Sequence, residues 1–210
     1  MALTRQRGRA ATRVAREQSR ARIIEAASAL LRERPYSTLS IGEIMERAGI
    51  GRTLFYRHFD DLGDLLLTAG REAINDLYDA ERALAEIRAD HGPAAIREAL
   101  ELSVAAYERH GPLLRAGTEA AASDELIAAR QQAIRRRFDA LVAEALRRAE
   151  EETGTRFADP DETARALNAL SHGYLLDAFG HGPRISRAAA TRTLTEIWVA
   201  VIGRGGSREA

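Results

Sequence analysis

Residues 40–59 read SIGEIMERAGIGRTLFYRHF, and this stretch decides the fold. Ser40 and Glu43 have the S-x-x-E spacing of a capping box, in which a hydroxyl and a carboxylate each satisfy an orphan amide at a helix start. Ile41, Ile44 and Met45 then mark one apolar face, and Gly49 stops the helix because glycine accepts a left-handed C-terminal position at least cost. A third helix follows over about 52–59. Ile44, Ala48, Ile50, Phe55 and Phe59 are the apolar anchors, and Arg52, Thr53, Tyr56, Arg57 and His58 form the outward polar set. Two short helices joined by a tight glycine turn describe a helix-turn-helix, whose later helix lies in the major groove of DNA. Arginine can bond a guanine edge in bidentate fashion, threonine can bond an edge or touch a thymine methyl, and tyrosine and histidine suit phosphate oxygens. The start of the helix at Ser40 is a second natural phosphate contact.

Working outward, helical periodicity runs through the chain and no sustained strand alternation occurs. A first amphipathic helix covers about 17–34, carries Ile23, Ala27, Leu30 and Leu31, and stops at Pro35. After the helix-turn-helix, an apolar stripe from Leu62 to Ile87 predicts a rod of roughly 40 Å. The sequence DHGP at 90–93 breaks it. Further helices are expected at 93–110, ended by Gly111-Pro112, and at 113–122. Ser123 is expected to cap a long helix, Asp159 with Pro160 to start one that reaches 179, and Ser186 to cap a last one over 187–202. The expected architecture is all-α with nine helices, a small three-helix head leading a larger helical body. Residues 1–16 are expected to form a flexible basic arm, 17–62 the DNA-binding head, 63–204 a ligand-binding and dimerisation body, and 205–210 a disordered tail.

The 210 residues contain no cysteine and no lysine, which excludes disulfides, thiolate metal sites, a Walker lysine and Schiff-base chemistry. Net charge is zero, but residues 1–60 hold twelve arginines against six acids, so a basic front sits on an acidic body. The five histidines, His58, His91, His110, His172 and His181, lack metal-ligand spacing and are read as surface or loop groups. No catalytic constellation is visible. The reading is therefore no enzyme, no cofactor and no metal. Nothing resembles a secretory leader or a membrane span, and a cytoplasmic location is expected.

The stretch LSIGEIMERAGIGRTLFYRHF, preceded by an amphipathic helix and followed by a long apolar-striped one, resembles the TetR family of bacterial transcriptional repressors. The resemblance implies a homodimer, an N-terminal DNA-binding head, and a body whose small ligand moves the heads apart and releases a palindromic operator. It implies DNA contacts at Ser40, Arg52, Thr53, Tyr56 and His58. Gly51, Leu54 and Arg57 complete the candidate DNA-binding set. Two departures from the family pattern stand out. Gly51 replaces a common serine, and Leu62, beside Asp60 and Asp61, replaces a common lysine. The helix after the head is thus expected to contribute little to phosphate binding. The arm residues Arg5, Arg7, Arg9, Arg13 and Arg16 either compensate or are merely solvated.

In the body, Asn168 and Ser171 are a polar pair on one helix face. An amide there needs a partner: a ligand, a neighbouring group or a dimer seam. Tyr107, Phe138 and Trp198 lie on apolar faces of three helices and together can line a tunnel. The segments HGPLLRAGTEAAAS, TARALNALSHGYLLDAFG and LTEIWVAVIG resemble the ethionamide-resistance regulator branch of the family. That resemblance implies a long, narrow apolar pocket lined by Ile96, Ser103, Tyr107, Gln131, Phe138, Leu141, Val142, Asn168, Ser171 and Trp198, holding a moderately large apolar molecule with one or two polar atoms. It also implies a dimer seam from the helices at about 160–179 and 187–202. The alternative is a helical protein-interaction scaffold with a basic head and no DNA specificity.

Overall fold

The computed structural model describes residues 2–86, 92–154 and 156–204. Seven α-helices follow in order: α1 (Ala2–Glu33), α2 (Ile41–Ala48), α3 (Leu62–Ala85), α4 (Gly92–Ala120), α5 (Glu125–Thr153), α6 (Pro160–Phe179) and α7 (Arg187–Arg204). Two short 3-10 segments, Tyr36–Thr38 and Arg52–Arg57, flank α2. No strand occurs among the described residues, and none of their helices is long and apolar enough to cross a membrane.

The local signals act largely as their chemistry requires. Ser40 Oγ accepts from the Glu43 amide and Glu43 Oε2 accepts from the Ser40 amide, closing the capping box. Gly49 ends α2 at φ 64°, and Ile50 N then donates to Met45 O at 3.1 Å. Asp159 caps α6 by accepting from the amides of Asp161 and Glu162, with Pro160 at the first turn, where its missing N–H costs nothing. Ser186 Oγ accepts from Ala189 N at the start of α7.

Four expectations are corrected. First, the helices expected at 93–110 and 113–122 are one, α4, so eight of the nine anticipated helices are found, and the 3-10 turn at Tyr36–Thr38 is an addition. Pro112 sits inside α4. It removes one backbone hydrogen bond, but Gly111 has no Cβ to meet the proline ring, and burial on both sides keeps the helix going. Second, α1 begins at Ala2 rather than near 17, so residues 2–16 are helical where an arm was expected. They are rich in helix formers and contain no proline. Third, Asp124 rather than Ser123 caps α5, accepting from Ile127 N at 3.0 Å. Fourth, the expected helix at 52–59 is a 3-10 segment ending at Arg57, with Leu54 N bonded to Gly51 O at 2.9 Å. The expected tail at 205–210 and residues 90 and 91 of the expected break lie outside the described residues, while Gly92 and Pro93 begin α4.

Three apolar clusters organise the chain. The head buries Ile23, Ala27 and Leu30 of α1 against Ile44, Met45 and Ala48 of α2, with Phe55, Phe59 and Leu65 completing it. The body buries residues of α3, α4, α5, α6 and α7, including Val104, Leu146, Leu175, Phe179 and Leu194. A smaller cluster of Leu31, Leu66, Ala116, Ala120 and Ile127 lies between head and body.

Beside it stands a polar junction that the sequence did not announce. Arg115 of α4 is 7% exposed and donates to Leu31 O at 2.8 Å and Arg34 O at 3.4 Å, both at the end of α1. Its Nε donates to Gly180 O at 2.9 Å, at the end of α6. Glu119, one turn on, pairs with Arg115 and accepts from Tyr36 N at 2.8 Å. One guanidinium thus meets carbonyls at two helix C-termini, where orphan acceptors and the negative helix end both favour a cation.

Close backbone approach explains Gly111. A Cβ there would lie 2.3 Å from Phe179 O and 2.6 Å from its carbonyl carbon, and backbone cannot swing aside as a side chain can. Gly111→Ala is therefore expected to cost about 1–3 kcal/mol of stability, by analogy with other overpacking changes, in urea unfolding. An unchanged midpoint would contradict this packing.

Candidate nucleic-acid interface and body site

The candidate DNA-binding surface is built on two buried rings. Phe55 and Phe59 are essentially inaccessible, with ring centroids 5.4 Å apart. They anchor the segment Arg52–Arg57 to the head and leave Arg52, Thr53, Tyr56 and Arg57 exposed. Tyr56 is 56% exposed, although it sits edge-on to Phe55. Gly51 precedes the segment, exposed and without a side-chain cap. Ser40 is exposed too, but its hydroxyl donates to Glu43 Oε2 at 2.6 Å. The Ser40 hydrogen bond and the Arg34 ion pair at 2.8 Å hold the Glu43 carboxyl below its ordinary range.

Two members of the candidate set are placed differently from the expectation. Leu54 is half-buried and packs against the head core. His58 turns towards α1, where its Nε2 lies 2.8 Å from Ser19 Oγ. Ser19 donates to Arg16 O at 2.9 Å, so it accepts from the His58 Nε2–H. Desolvation, with Arg16, Arg20 and Arg57 nearby, lowers the His58 pKa. His58 therefore braces the segment Arg52–Arg57 on α1 in place of the surface position read from the sequence.

The turn is held from the other side by α1 as well. Arg22 Nη2 donates to Ala48 O at 2.6 Å, at the end of α2. Arg47 of α2 makes a bidentate pair with Glu33 of α1 at 2.8 and 2.6 Å.

In the body, the structure gives the polar pair intramolecular partners. Asn168 Nδ2 donates to Asp139 Oδ1 at 2.9 Å, and Ser171 Oγ accepts from Trp198 Nε1 at 3.0 Å. Ile96, Tyr107, Val142 and Trp198 belong to the body core, and Phe138 packs against it and stacks on Tyr78. Ser103 and Leu141 are half-buried. Gln131 stands apart: its Nε2 is 3.0 Å from where a Cβ on Gly117 would lie. Gly117 is about 31 Å along α4 from Ile96 at ~1.5 Å per residue, so Gln131 stands far along the body from Ile96.

His172 also departs from the surface reading. Its Nδ1 is 2.6 Å from the buried Tyr107 hydroxyl, and its Nε2 is 3.4 Å from Arg135 Nη2. Burial, helped by Arg135, lowers its pKa to about 4, and burial raises that of Tyr107. A signal for this is present in the sequence: position 172 is one turn after Asn168, inside a segment already read as a helix. His110 is likewise engaged, with Nε2 3.0 Å from Asp76 Oδ2. No group of three or more potential metal ligands occurs among the described residues.

Known proteins share this sequence pattern and this fold. Residues 23–69 match the model for bacterial regulatory proteins of the tetR family. The HTH-type transcriptional regulator EthR of Mycobacterium tuberculosis (strain ATCC 25618 / H37Rv) is 30% identical over 200 residues, covering 93% of this chain and 92% of that protein. Among solved structures, the TetR family transcriptional regulator PfmR from Thermus thermophilus superposes with a TM-score of 0.72 at 21% identity, over 89% of this chain and 99% of that one. SmeT, the repressor of the Stenotrophomonas maltophilia multidrug efflux pump SmeDEF, gives a TM-score of 0.64 at 25% identity, over 87% and 89% of the two chains.

The half-buried His172 gives a pH dependence with a definite sign. An unfolded His takes up its proton near pH 6.5, whereas folded His172 resists until about pH 4. Between those values the unfolded state binds more protons, so stability falls as pH drops through this window and is fully retained above it. The loss approaches about 3 kcal/mol at ~1.4 kcal/mol per pKa unit. Wild type should lose more stability than His172→Gln when urea unfolding is moved from neutral pH to the lower edge of the window. Parallel pH profiles for the two proteins would contradict the assignment.

Proposed function

This chain belongs to the TetR family of bacterial regulatory proteins, and we propose that it is a ligand-responsive, dimeric repressor that grips a two-fold symmetric operator with the segment Arg52–Arg57. The observation that carries the DNA assignment is the exposed face of Arg52, Thr53, Tyr56 and Arg57 over the fully buried Phe55–Phe59 pair. Rigid rings underneath fix the segment, so the polar side chains above lose less freedom on docking than they would on a loop. Arg52 and Thr53 start the segment, where base edges are read, and Ser40, Tyr56 and Arg57 suit phosphates.

Dimerisation is assigned to α6 and α7, where Leu170 of α6 stands 43% exposed. Two heads related by a two-fold axis would meet half-sites about 34–36 Å apart. The body accepts a mainly apolar small molecule. Asn168 keeps a second amide hydrogen and Ser171 its hydroxyl hydrogen for the ligand's polar atom, beyond the bonds each already makes. A ligand that favours one spacing of the heads shifts the DNA-binding equilibrium by its difference in affinity for the two states. A scaffold that meets an acidic protein is not favoured, because the relatives that match along almost the whole chain are transcriptional regulators.

The test is enrichment of duplexes from a random library by the purified protein, followed by titration of the winning sequence. A palindrome should emerge. Arg52→Ala should bind it about 10- to 100-fold more weakly, as loss of one good base contact worth about 1–3 kcal/mol would give. No enrichment, or equal affinity of the variant, would overturn the assignment.

A further inference from the structure

Arg5, Arg9, Arg13, Arg16 and Arg20 succeed one another at spacings of four, four, three and four residues. Because α1 is helical from Ala2, these positions share one face. At ~100° per residue they fall within an arc of about 80°, along about 22 Å of helix. Residues 1–24 contain seven arginines, and Glu17 is the sole acid, lying beyond the edge of the stripe. The remaining two, Arg7 and Arg22, lie off it.

The head-proximal end of this stripe abuts the recognition segment. Arg16 Nη2 is 3.4 Å from Arg57 O, and the Arg20 guanidinium lies 5.8 Å from the centre of the Phe59 ring. Arg13, further out, has a side chain 77% exposed and meets Glu17 only at 3.9 Å. The side of α1 that touches the recognition segment is therefore the side that carries the stripe away from the head. Directly after that segment, towards the start of α3, Asp60 and Asp61 are exposed and would repel phosphate.

We infer that this face of α1 is a second DNA-contacting surface, which binds the phosphates of duplex flanking each half-site. The inference rests on the DNA-binding reading above and extends it. One strand presents a phosphate charge about every 3.4 Å along the axis, so a basic face of this length spans several. Such contacts carry no base information and position the protein. They supply the phosphate binding that the acidic start of α3 does not, and they lengthen the footprint without altering the sequence read.

The experiment uses two duplexes that share the enriched operator. One ends flush with the half-sites, and the other adds about one helical turn, ~10 bp, at each end. Wild type, the triple variant Arg5→Ala/Arg9→Ala/Arg13→Ala and the off-stripe control Arg7→Ala are titrated over a range of salt. Alanine is at least as good a helix former as arginine, so α1 is retained, which circular dichroism checks. On the flanked duplex the triple variant should bind at least about tenfold more weakly at low salt. Its slope of log K against log salt should be shallower by about two to three, at ~0.9 for each phosphate no longer neutralised. On the flush duplex it should match wild type, and Arg7→Ala should match wild type on both. Equal slopes for wild type and the triple variant on the flanked duplex would overturn the inference while leaving the recognition segment's role intact. So would a per-charge weakening in Arg7→Ala equal to that of the triple variant, since net charge alone would then explain the effect. Failure of wild type to bind either duplex would instead sink the DNA-binding reading itself.

Discussion

Arg115 is the constraint on which the rest of the structure depends. Its side chain is 8% exposed, and its guanidinium reaches carbonyls at the ends of α1 and α6 while pairing with Glu119 on its own helix. A buried cation is tolerable only when its donors are satisfied, and here three backbone oxygens and a carboxylate share that task. Glu119 completes the ring by accepting from Tyr36 N. The apolar cluster of Leu31, Leu66, Ala116 and Ala120 closes around the same place. Head and body are thereby joined by directional bonds as well as by contact area. The tight fit of Gly111 on the Phe179 backbone fixes α4 against the end of α6 from the adjacent turn.

The head follows the same logic at smaller scale. A 3-10 segment of six residues cannot hold its shape alone. Phe55 and Phe59 pin it from below, His58 ties it to Ser19, and Arg22 and Arg47 fasten α2 to α1. All of these lines lead to α1. The helix that carries the arginine stripe is therefore the one against which the segment Arg52–Arg57 is braced, and it ends at the Arg115 junction. The arginine stripe, the support for the segment Arg52–Arg57 and the attachment to the body are different stretches of one helix.

How much of this was legible in the sequence depends on the range of the interaction. The capping box at Ser40, the left-handed Gly49, the Asp159-Pro160 start of α6 and the apolar anchors of the head are local, and they stand where their chemistry puts them. Several of the misread features are those in which a distant partner overrides a local rule. Gly111-Pro112 reads as a helix end until Phe179 fills the space that the glycine leaves. His58 and His172 read as surface groups until Ser19 and Tyr107 stand opposite them. Asn168 and Ser171 stand out in the sequence as polar groups in need of partners, but only the packing of α5 and α7 on α6 reveals Asp139 and Trp198. Arg115 is hard to single out there because the chain has many arginines and three of its four partners are backbone oxygens, which leave no mark in a sequence.

The most direct test of the junction is urea unfolding of Arg115→Met followed by two probes: Trp198 fluorescence for the body and amide exchange in α2 for the head. The Arg115 junction predicts coincident transitions in wild type. In the variant, with orphaned carbonyls and an unpaired Glu119, the α2 amides should open well before the body unfolds. Coincident transitions in Arg115→Met at an unchanged midpoint would contradict it, and would leave apolar contact alone holding the head to the body.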